Sequence, residues 1–491
     1  MTAPGRSTAI RDCEFLEACR AQLAMAPLAH LEGRVSALVG TSIEVDGLPA
    51  RVGALCELEP AARRALAAEV VGFRQGATVL MPLADPDGVG PGTRVRLRRS
   101  QAAAPPAAAC LGRVLDGLGQ PLDGAGPLPP AVGWPLAARP EEVLARPRIA
   151  TPLDLGVRAL NALITVGRGA RIGLFAGSGV GKSTLLGQIA RTTGADAIVV
   201  GLIGERGREV REFVERDLGS GLARSAVVVA TSDEPPLLRR RAALLATALA
   251  EELRDQGRHV LLLMDSLTRY CTALREIGLG AGEPPATRGF PPSVWAELPK
   301  LVERAGTGTR GGSITGIYTV LVEGDDLSEP VADSARALLD GHVVLSRSLA
   351  ERGHYPAIDP LASVSRVMPD VVPGQVVEQA RRARALLAAH RDAEDLISIG
   401  AYVEGSNPEV DEARRLLPAL TGFLRQQRDE VSTLTESWSA LAAALATRGP
   451  APTAAPQHGE PRPAPEAVTG PGRTPSHAES QAVVSASGGP A

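Results

Sequence analysis

One glycine-rich octet of this sequence has the residues and the spacing to hold phosphate groups. The octet Gly177-Ser178-Gly179-Val180-Gly181-Lys182-Ser183-Thr184 fits the pattern GxxxxGK[ST]. Its glycines let the backbone fold around an anion, and the amino end of a following helix adds partial positive charge. We expect Lys182 to reach the β- and γ-phosphates of a nucleotide and the Ser183 hydroxyl to hold Mg²⁺.

The residues on either side of the octet predict the elements that this motif needs. Arg171–Ala176 is a short, mostly apolar run, as expected of a buried strand. The run from Thr184 to Arg191 carries Leu185, Leu186 and Ile189 at helical spacing. The sequence therefore predicts a strand, a phosphate-binding loop and a helix in that order.

Two acidic residues could complete a nucleotide-hydrolysing site. Asp265 ends the apolar run Val260–Met264, and Glu205 follows the apolar run Ala197–Ile203. In an α/β sheet the ligand binds at the carboxyl ends of the strands, so both acids should reach that edge. We expect Asp265 to hold Mg²⁺ and Glu205 to polarise the attacking water.

Hydrolysis also calls for a cation that stabilises charge on the γ-phosphoryl group. Such an arginine finger can contribute about 10³–10⁵ in rate, or about 4–7 kcal/mol. Arg366, which ends the segment His354–Arg366, is the candidate. Composition alone does not single it out among the other basic residues.

The composition limits the classes of protein to which the chain can belong. Its 491 residues suggest two to four domains. The net charge of −3, with acidic and basic residues interspersed, does not mark a nucleic-acid binder. The five cysteines, Cys13, Cys19, Cys56, Cys110 and Cys271, are scattered and odd in number, which favours a reducing compartment over a disulfide or zinc framework.

The amino-terminal stretch does not read as a leader sequence. Charged residues from Arg11 to Glu17 interrupt any apolar core of a signal peptide. No run of about 18 residues is apolar enough to span a bilayer. We therefore expect a soluble, cytoplasmic protein that is at most peripheral to a membrane.

The first hundred residues predict a helix followed by a small all-β domain. Residues 8–30 have the pattern of an amphipathic helix, which either packs on its own domain or docks on a partner or membrane. Residues 31–100 contain short apolar runs between turn residues, which predict a β-barrel. The runs are Arg34–Val39, Ile43–Val45, Val70–Phe73, Thr78–Pro82 and Arg94–Leu97. Residues 101–109 are rich in alanine and proline and predict a linker.

The rest of the chain predicts an α/β domain, a helical domain and a tail. Residues 110–372 alternate strand and helix patterns, as in a largely parallel sheet. Residues 373–447 have a helical pattern. Residues 448–491 are rich in Pro, Ala and Gly and predict a disordered tail. The clearest segments are the strands His259–Met264 and Ile314–Val322 and the helices Ala242–Arg254, Val376–His390 and Glu409–Arg425.

Residues 112–445 closely resemble the type III secretion and flagellar export ATPases, which are similar to the catalytic subunits of rotary ATP synthases. The stretches that carry the resemblance are Gly112–Gly119, Gly173–Thr184, Gly201–Val210, Met264–Arg269, Gly289–Val294 and His354–Arg366. The resemblance implies an α/β P-loop NTPase core with a RecA-like parallel sheet, a small amino-terminal β-barrel and a carboxyl-terminal helical domain. It also implies ATP and Mg²⁺ as substrate and cofactor.

The resemblance assigns a role to each matching residue. Lys182 is the P-loop lysine and Glu205 the catalytic glutamate, with Arg206 beside it lining the phosphates. The magnesium hydroxyl falls on Ser183 and the Walker-B aspartate on Asp265. The tyrosine that stacks on adenine falls on Tyr355, and the arginine finger falls on Arg366.

The resemblance further implies an assembly and its surroundings. The finger reaches the nucleotide of a neighbouring subunit in a homohexameric ring, the barrel ties the ring together, and the carboxyl-terminal helices face export substrates and chaperones. A stalk and a stator or regulator are the other implied partners. The implied place is the base of a secretion apparatus, in the cytoplasm and peripheral to the inner membrane.

Details of the motifs favour one branch of the family. The Gly-Ser-Gly loop and the run Asp359–Ser363 look more like the injectisome branch than the flagellar branch. Pro360 departs from the pattern, which usually has a small aliphatic residue there. The tail after residue 448 lies outside the family pattern, and residues 1–30 match it only loosely.

Three other classes of protein are alternatives to this one. A hexameric RNA helicase would need a basic, aromatic groove in the amino-terminal domain, and Phe73 is the only aromatic residue in 31–100. A rotary ATP synthase subunit would need partner chains, because there the catalytic glutamate and the finger lie on different subunits. A non-enzymatic scaffold would not need the catalytic residues that this chain has.

Overall fold

The structure is a computed structural model that describes residues 31–60, 64–99, 103–129, 134–137, 143–322 and 328–447. Two predictions from the sequence, the helix over residues 8–30 and the disordered tail over 448–491, lie outside the described residues. The acidic run that follows the predicted strand Ile314–Val322 lies outside them as well.

A closed six-stranded antiparallel barrel forms the first part of the fold, as the sequence predicts. The strands Glu32–Val39 and Leu55–Glu59 alternate buried with more exposed residues, because one face of each lines the apolar barrel interior. The neighbours follow the order β1-β2-β5-β4-β3-β6. The strands are β1 (Glu32–Val39), β2 (Ser42–Asp46), β3 (Leu55–Glu59), β4 (Leu66–Arg74), β5 (Ala77–Pro82) and β6 (Arg94–Arg99).

The second part is built on a nine-stranded sheet whose main path runs β17-β16-β10-β15-β13-β11-β12-β7. The strands from β16 to β7 are parallel, while β17 and β14 pair antiparallel. A separate ribbon consists of β8 and β9. The strands are β7 (Val114–Asp116), β8 (Pro152–Leu153), β9 (Val166–Gly167), β10 (Arg171–Ala176), β11 (Ala197–Glu205), β12 (Ser225–Thr231), β13 (His259–Asp265), β14 (Gly306–Thr307), β15 (Ser313–Leu321), β16 (Gly341–Leu345) and β17 (Ile358–Ser365).

Helices cover both faces of this sheet, so its central strands are buried along nearly their whole length. The helices are α1 (Ala107–Cys110), α2 (Arg158–Leu163), α3 (Lys182–Thr192), α4 (Gly207–Glu212), α5 (Pro236–Asp255), α6 (Leu267–Gly280), α7 (Pro292–Val302), α8 (Pro330–Leu338), α9 (Arg347–Glu351), α10 (Met368–Val371), α11 (Gly374–Ser398), α12 (Pro408–Leu424) and α13 (Leu434–Ala446). The last three form the predicted helical region, and they share one apolar core with α3.

A buried ion pair joins the barrel to the sheet domain. Glu69 on β4 is almost fully buried and accepts hydrogen bonds from Arg240 (3.1 Å) and Arg241 (2.8 Å) on α5. The hydroxyl of Ser42 also donates to the carbonyl of Gly280 at the end of α6 (2.7 Å). The barrel is therefore held on two helices of the sheet domain.

The structure differs from the sequence-based expectations in the segment predicted as a linker. Residues 107–110 form α1, whose first backbone N–H donates to Glu252 on α5 (3.1 Å). Ala104, Ala107 and Cys110 are buried against that helix. The alanines that resemble linker composition are small enough to pack closely on α5, which the composition alone cannot reveal.

Candidate active site

The predicted P-loop lies between β10 and α3, at the carboxyl end of the sheet. We call this the carboxyl edge, and the opposite side, where the parallel strands begin, the amino edge. Gly181 directly precedes α3 with φ of 91°, in the left-handed region that favours glycine. Leu185, Leu186 and Ile189 anchor α3 in the core. The loop is therefore fixed on both sides by buried elements.

Lys182, at the start of α3, contacts acidic residues at the ends of β11 and β13. Its Nζ lies 2.6 Å from Asp265 Oδ1 and 3.2 Å from Glu205 Oε1. Burial is the largest influence and lowers the pKa of the Lys182 ammonium, but the charges of the two carboxylates outweigh it and raise that pKa above its ordinary value. Lys182 therefore stays charged at neutral pH, as a phosphate-binding lysine must.

A bulge in β11 directs Glu205 towards this lysine. The pairing of β11 with β12 shifts its register between Ile203 and Glu205, which leaves Gly204 as the extra residue. Gly204 has φ of 74°, and a Cβ there would lie 2.8 Å from the Cβ of Arg269. Only glycine fits this position without displacing Arg269. The strand runs two residues further than the predicted end at Ile203.

Asp265 is buried at the end of β13 and has two partners. Its Oδ1 accepts hydrogen bonds from Lys182 and from the hydroxyl of Thr319 on β15 (2.6 Å). Thr319 therefore fixes the orientation of the carboxylate. Thr319 lies in the middle of an apolar strand and more than fifty residues from Asp265, so no sequence motif pointed to it.

Two adjoining cavities surround the P-loop. One, of about 450 Å³, has the loop, Glu205, Arg206 and Arg269 in its walls. The other, of about 390 Å³, is lined by α3 and by Tyr355, a side chain that is 47 % exposed. Together they have the size of a small-molecule site. The predicted residues that touch one or both are Gly177, Ser178, Gly179, Val180, Gly181, Lys182, Ser183, Thr184, Glu205, Arg206 and Tyr355.

A loop from the helical region forms a wall of the second cavity. The residues of this loop that line it with Tyr355 are Gln426, Gln427 and Arg428, which follow α12. The backbone N–H of Gln426 donates to the carbonyl of Tyr355 (2.9 Å), and Gln188 on α3 donates to the carbonyl of Glu430 (3.1 Å). This loop was not among the predicted site residues, because it lies in a segment predicted only as helical.

The two predicted arginines lie in different places. Arg206 precedes α4 at the edge of the first cavity, and its largely exposed side chain lies 4.0 Å from the carboxylate of Glu209. Arg366 lies at the amino edge instead. Its backbone N–H donates to the carbonyl of Asp340 (2.9 Å), the residue before β16, and its side chain is exposed. The structure thus does not bring Arg366 to the P-loop of its own chain.

This fold and site define a P-loop nucleotide hydrolase. The family model described as the ATP synthase alpha/beta family, nucleotide-binding domain, matches residues 156–365. The model of the T3SS EscN ATPase C-terminal domain matches residues 372–443. Both matches lie on the elements just described, the sheet domain and the three final helices.

Individual relatives match over most of the chain. A flagellum-specific ATP synthase of Pseudomonas aeruginosa is 52% identical over 85% of this chain and 93% of the relative. A type 3 secretion system ATPase of Xanthomonas euvesicatoria is 48% identical over 84% of this chain and 93% of the relative. The solved structure of the assembled ATPase EscN from enteropathogenic E. coli has a TM-score of 0.80 and 43% identity, covering 84% of this chain and 100% of that chain.

The chain belongs to the family of type III secretion and flagellar export ATPases. It is therefore an ATPase, and the expected barrel, P-loop sheet domain and helical region are confirmed. Among the helices that the structure describes, none is long and apolar enough to cross a bilayer.

Proposed function

We propose that this chain is the ATP-hydrolysing motor of a type III protein export apparatus and works as a homohexameric ring. The observation that carries the proposal is the contact of Lys182 with both Glu205 and Asp265 at the carboxyl edge, while Arg366 lies exposed at the amino edge. One chain thus holds every group that hydrolysis needs. The P-loop half lies at one edge of the sheet and the arginine at the other, so the arginine of a second copy can complete the site.

The residues of the first half each have a role in this proposal. Lys182 and the backbone of the P-loop bind the phosphates, and Tyr355 stacks on the adenine in the second cavity. Glu205 accepts a hydrogen bond from the water that attacks the γ-phosphorus. Lys182 keeps the pair of carboxylates from repelling each other before the phosphates arrive.

The donor set fits Mg²⁺. Ser183 offers a hydroxyl beside Lys182, and Asp265 offers a carboxylate that Thr319 holds in place. In the described residues no group of three or more His, Cys, Asp or Glu could hold a metal, but Mg²⁺ commonly binds one or two protein oxygens and completes its shell with phosphates and water. When bound, the ion would neutralise phosphate charge.

The second half of the site comes from a neighbouring copy. Arg366 would approach the γ-phosphate of the adjacent subunit, and the barrels would hold the ring together. The assembled EscN structure and a second one, of EscN in complex with its central stalk EscO, support an oligomer with a stalk as partner. Export substrates, their chaperones and a stator complete the proposed partners, in the cytoplasm at the inner membrane.

Assembly-dependent hydrolysis tests this proposal. ATPase activity per chain should rise with protein concentration in step with ring formation, measured by phosphate release and by size-exclusion chromatography with light scattering. A monomer with full activity would exclude the shared site. Added single-stranded RNA should leave the rate unchanged, whereas stimulation by RNA would indicate a nucleic-acid motor.

Flagellar export is the second candidate for the system that the motor serves. The loop and the run Asp359–Ser363 favour an injectisome, but the relatives named flagellum-specific reach 52% identity and those named type 3 secretion system ATPases reach 48%. Deletion of the gene in its host separates the two. Loss of effector secretion with normal swimming indicates an injectisome, and loss of swimming alone indicates flagellar export.

A further inference from the structure

A polar recess of about 150 Å³ lies at the amino edge of the sheet. Its floor includes His259 and Ser313, the first residues of β13 and β15, which places it a full strand length from the P-loop. The described residues that line it include no acid. Its polar side chains are Arg148, Thr151, Arg168, His259, Thr307 and Ser313.

Among these described side chains, Arg168 is the one with a buried polar atom that lacks a hydrogen-bond partner. It follows β9, its backbone N–H donates to Thr151 (2.8 Å), and its buried Nε has no hydrogen-bond partner among the described residues. Arg241 and Arg428 also have an unpaired Nε, but each forms an ion pair through another nitrogen. Arg168 forms none with the described carboxylates, so no described carboxylate neutralises its guanidinium charge at the wall of the recess.

The charged side chains that line the recess, Arg148 and Arg168, have the same sign. Arg148 is exposed at its rim, and neither arginine is paired with a carboxylate of the described chain. Asp196 accepts the backbone N–H of His259 (2.8 Å) but does not line the recess. Two guanidinium groups that share a small recess repel each other unless an anion lies between them.

The size of the recess limits the anion. Small-molecule pockets usually have about 300–1,000 Å³, so 150 Å³ is too small for a nucleotide. It equals the share of about five water molecules, which suits a single phosphate or carboxylate group. Planar guanidinium forks recognise both groups well.

We propose that this recess is an oxyanion site, separate from the nucleotide site, that binds one phosphate or carboxylate group through Arg148 and Arg168. The group comes from free inorganic phosphate or from a carboxylate side chain of a second copy of this chain. The amino edge also carries Arg366, so a carboxylate there would join the same interface.

Phosphate titration into the Lys182→Ala chain tests the first source, because that change removes the phosphate-binding lysine of the P-loop. Isothermal titration calorimetry on monomeric protein should show one phosphate bound. Adding Arg148→Ala or Arg168→Ala should weaken binding at least about ten-fold. Arg310→Ala is the matched control, since Arg310 is exposed on the adjoining turn and does not line the recess.

Assembly measurements in the otherwise unchanged chain test the second source. A carboxylate of a second copy is the ligand if two results are found together. The Lys182→Ala chain binds no phosphate, and Arg148→Ala and Arg168→Ala raise the protein concentration needed for assembly at least about ten-fold relative to Arg310→Ala. If neither variant differs from Arg310→Ala in phosphate binding or in assembly, the proposal is overturned. Arg148 is exposed, so its variant keeps the fold even where Arg168→Ala does not.

Discussion

Lys182 and Arg366 lie at opposite edges of one sheet. Lys182 follows the end of β10 by way of the P-loop, whereas Arg366 is bonded to Asp340, whose carboxylate accepts the backbone N–H of Arg171 at the start of β10 (2.9 Å). A strand of six residues spans about 17–20 Å. This separation exceeds the reach of an arginine side chain, so Arg366 cannot reach the P-loop of its own chain.

Removing the charge of Glu205 should abolish turnover and leave nucleotide binding intact. Glu205→Gln keeps the shape of the side chain but loses the base that orients water, so kcat should fall by at least about 10²-fold. Phosphate release and binding of a fluorescent ATP analogue measure the two effects. Glu209→Gln is the control, because Glu209 lines the same cavity without contacting Lys182. Wild-type hydrolysis by Glu205→Gln would contradict the assigned role.

The bulge in β11 should contribute to turnover because it positions Glu205. Gly204→Ala places a methyl group 2.8 Å from Arg269 at a backbone conformation that disfavours alanine, so Glu205 should move and kcat should fall at least about ten-fold. In Gly207→Ala the new Cβ meets nothing within 4 Å. That variant should keep its activity, and equal loss in both would show that the bulge has no special role.

The ion pair between barrel and sheet domain should contribute strongly to stability. Glu69→Ala leaves Arg241 buried without its carboxylate partner, which should lower the free energy of unfolding by about 3–5 kcal/mol. Urea unfolding followed by circular dichroism measures the change. Glu57→Ala on the neighbouring strand breaks a more exposed pair with Arg98 and should cost less than about 1 kcal/mol. Similar losses in both variants would contradict this ranking.

The cysteines that the structure describes should be unreactive in the folded protein. Burial raises the pKa of each of the Cys56, Cys110 and Cys271 thiols to about 12. Because the folded-state pKa is raised, the neutral thiols favour the folded state up to pH about 9, and this contribution is lost as the pH rises towards 12. Iodoacetamide at pH 8, read by peptide mass spectrometry, should modify them only in urea. Fast labelling without urea would show that they are accessible.

Local sequence predicted the elements of the fold better than their contacts. The P-loop, the barrel and the strand before Asp265 follow from glycine spacing and from runs of apolar residues. Strand β3 was missed because Leu55–Glu59, which reads Leu-Cys-Glu-Leu-Glu, is short and carries two glutamates; it pairs with β4 and β6 in the fold. The unnamed strands β12 and β16 are likewise identified by their neighbours in the sheet.

The site was predictable where one motif supplies it and not where distant segments meet. Lys182 and the P-loop are contiguous in sequence, so their pattern is sufficient. Thr319 acts through a hydrogen bond to Asp265, and Gln426 through its bond to Tyr355, across 54 and 71 residues of chain. Such partners depend on how strands and loops pack, and no spacing in the sequence records that. The position of Arg366 at the amino edge likewise required the sheet order.

Subunit mixing tests the central claim most directly. Arg366→Ala keeps an intact P-loop half and Lys182→Ala keeps an intact finger, so each ring alone should be nearly inactive. In mixed rings, a site is complete when the Arg366→Ala variant supplies the P-loop and the neighbouring Lys182→Ala variant supplies the finger. Random mixing of equal amounts gives this arrangement in about a quarter of the sites. We predict that phosphate release by the mixture rises to about that share of the wild-type rate. A mixture no more active than the separate variants, with rings formed, would contradict a site shared between copies.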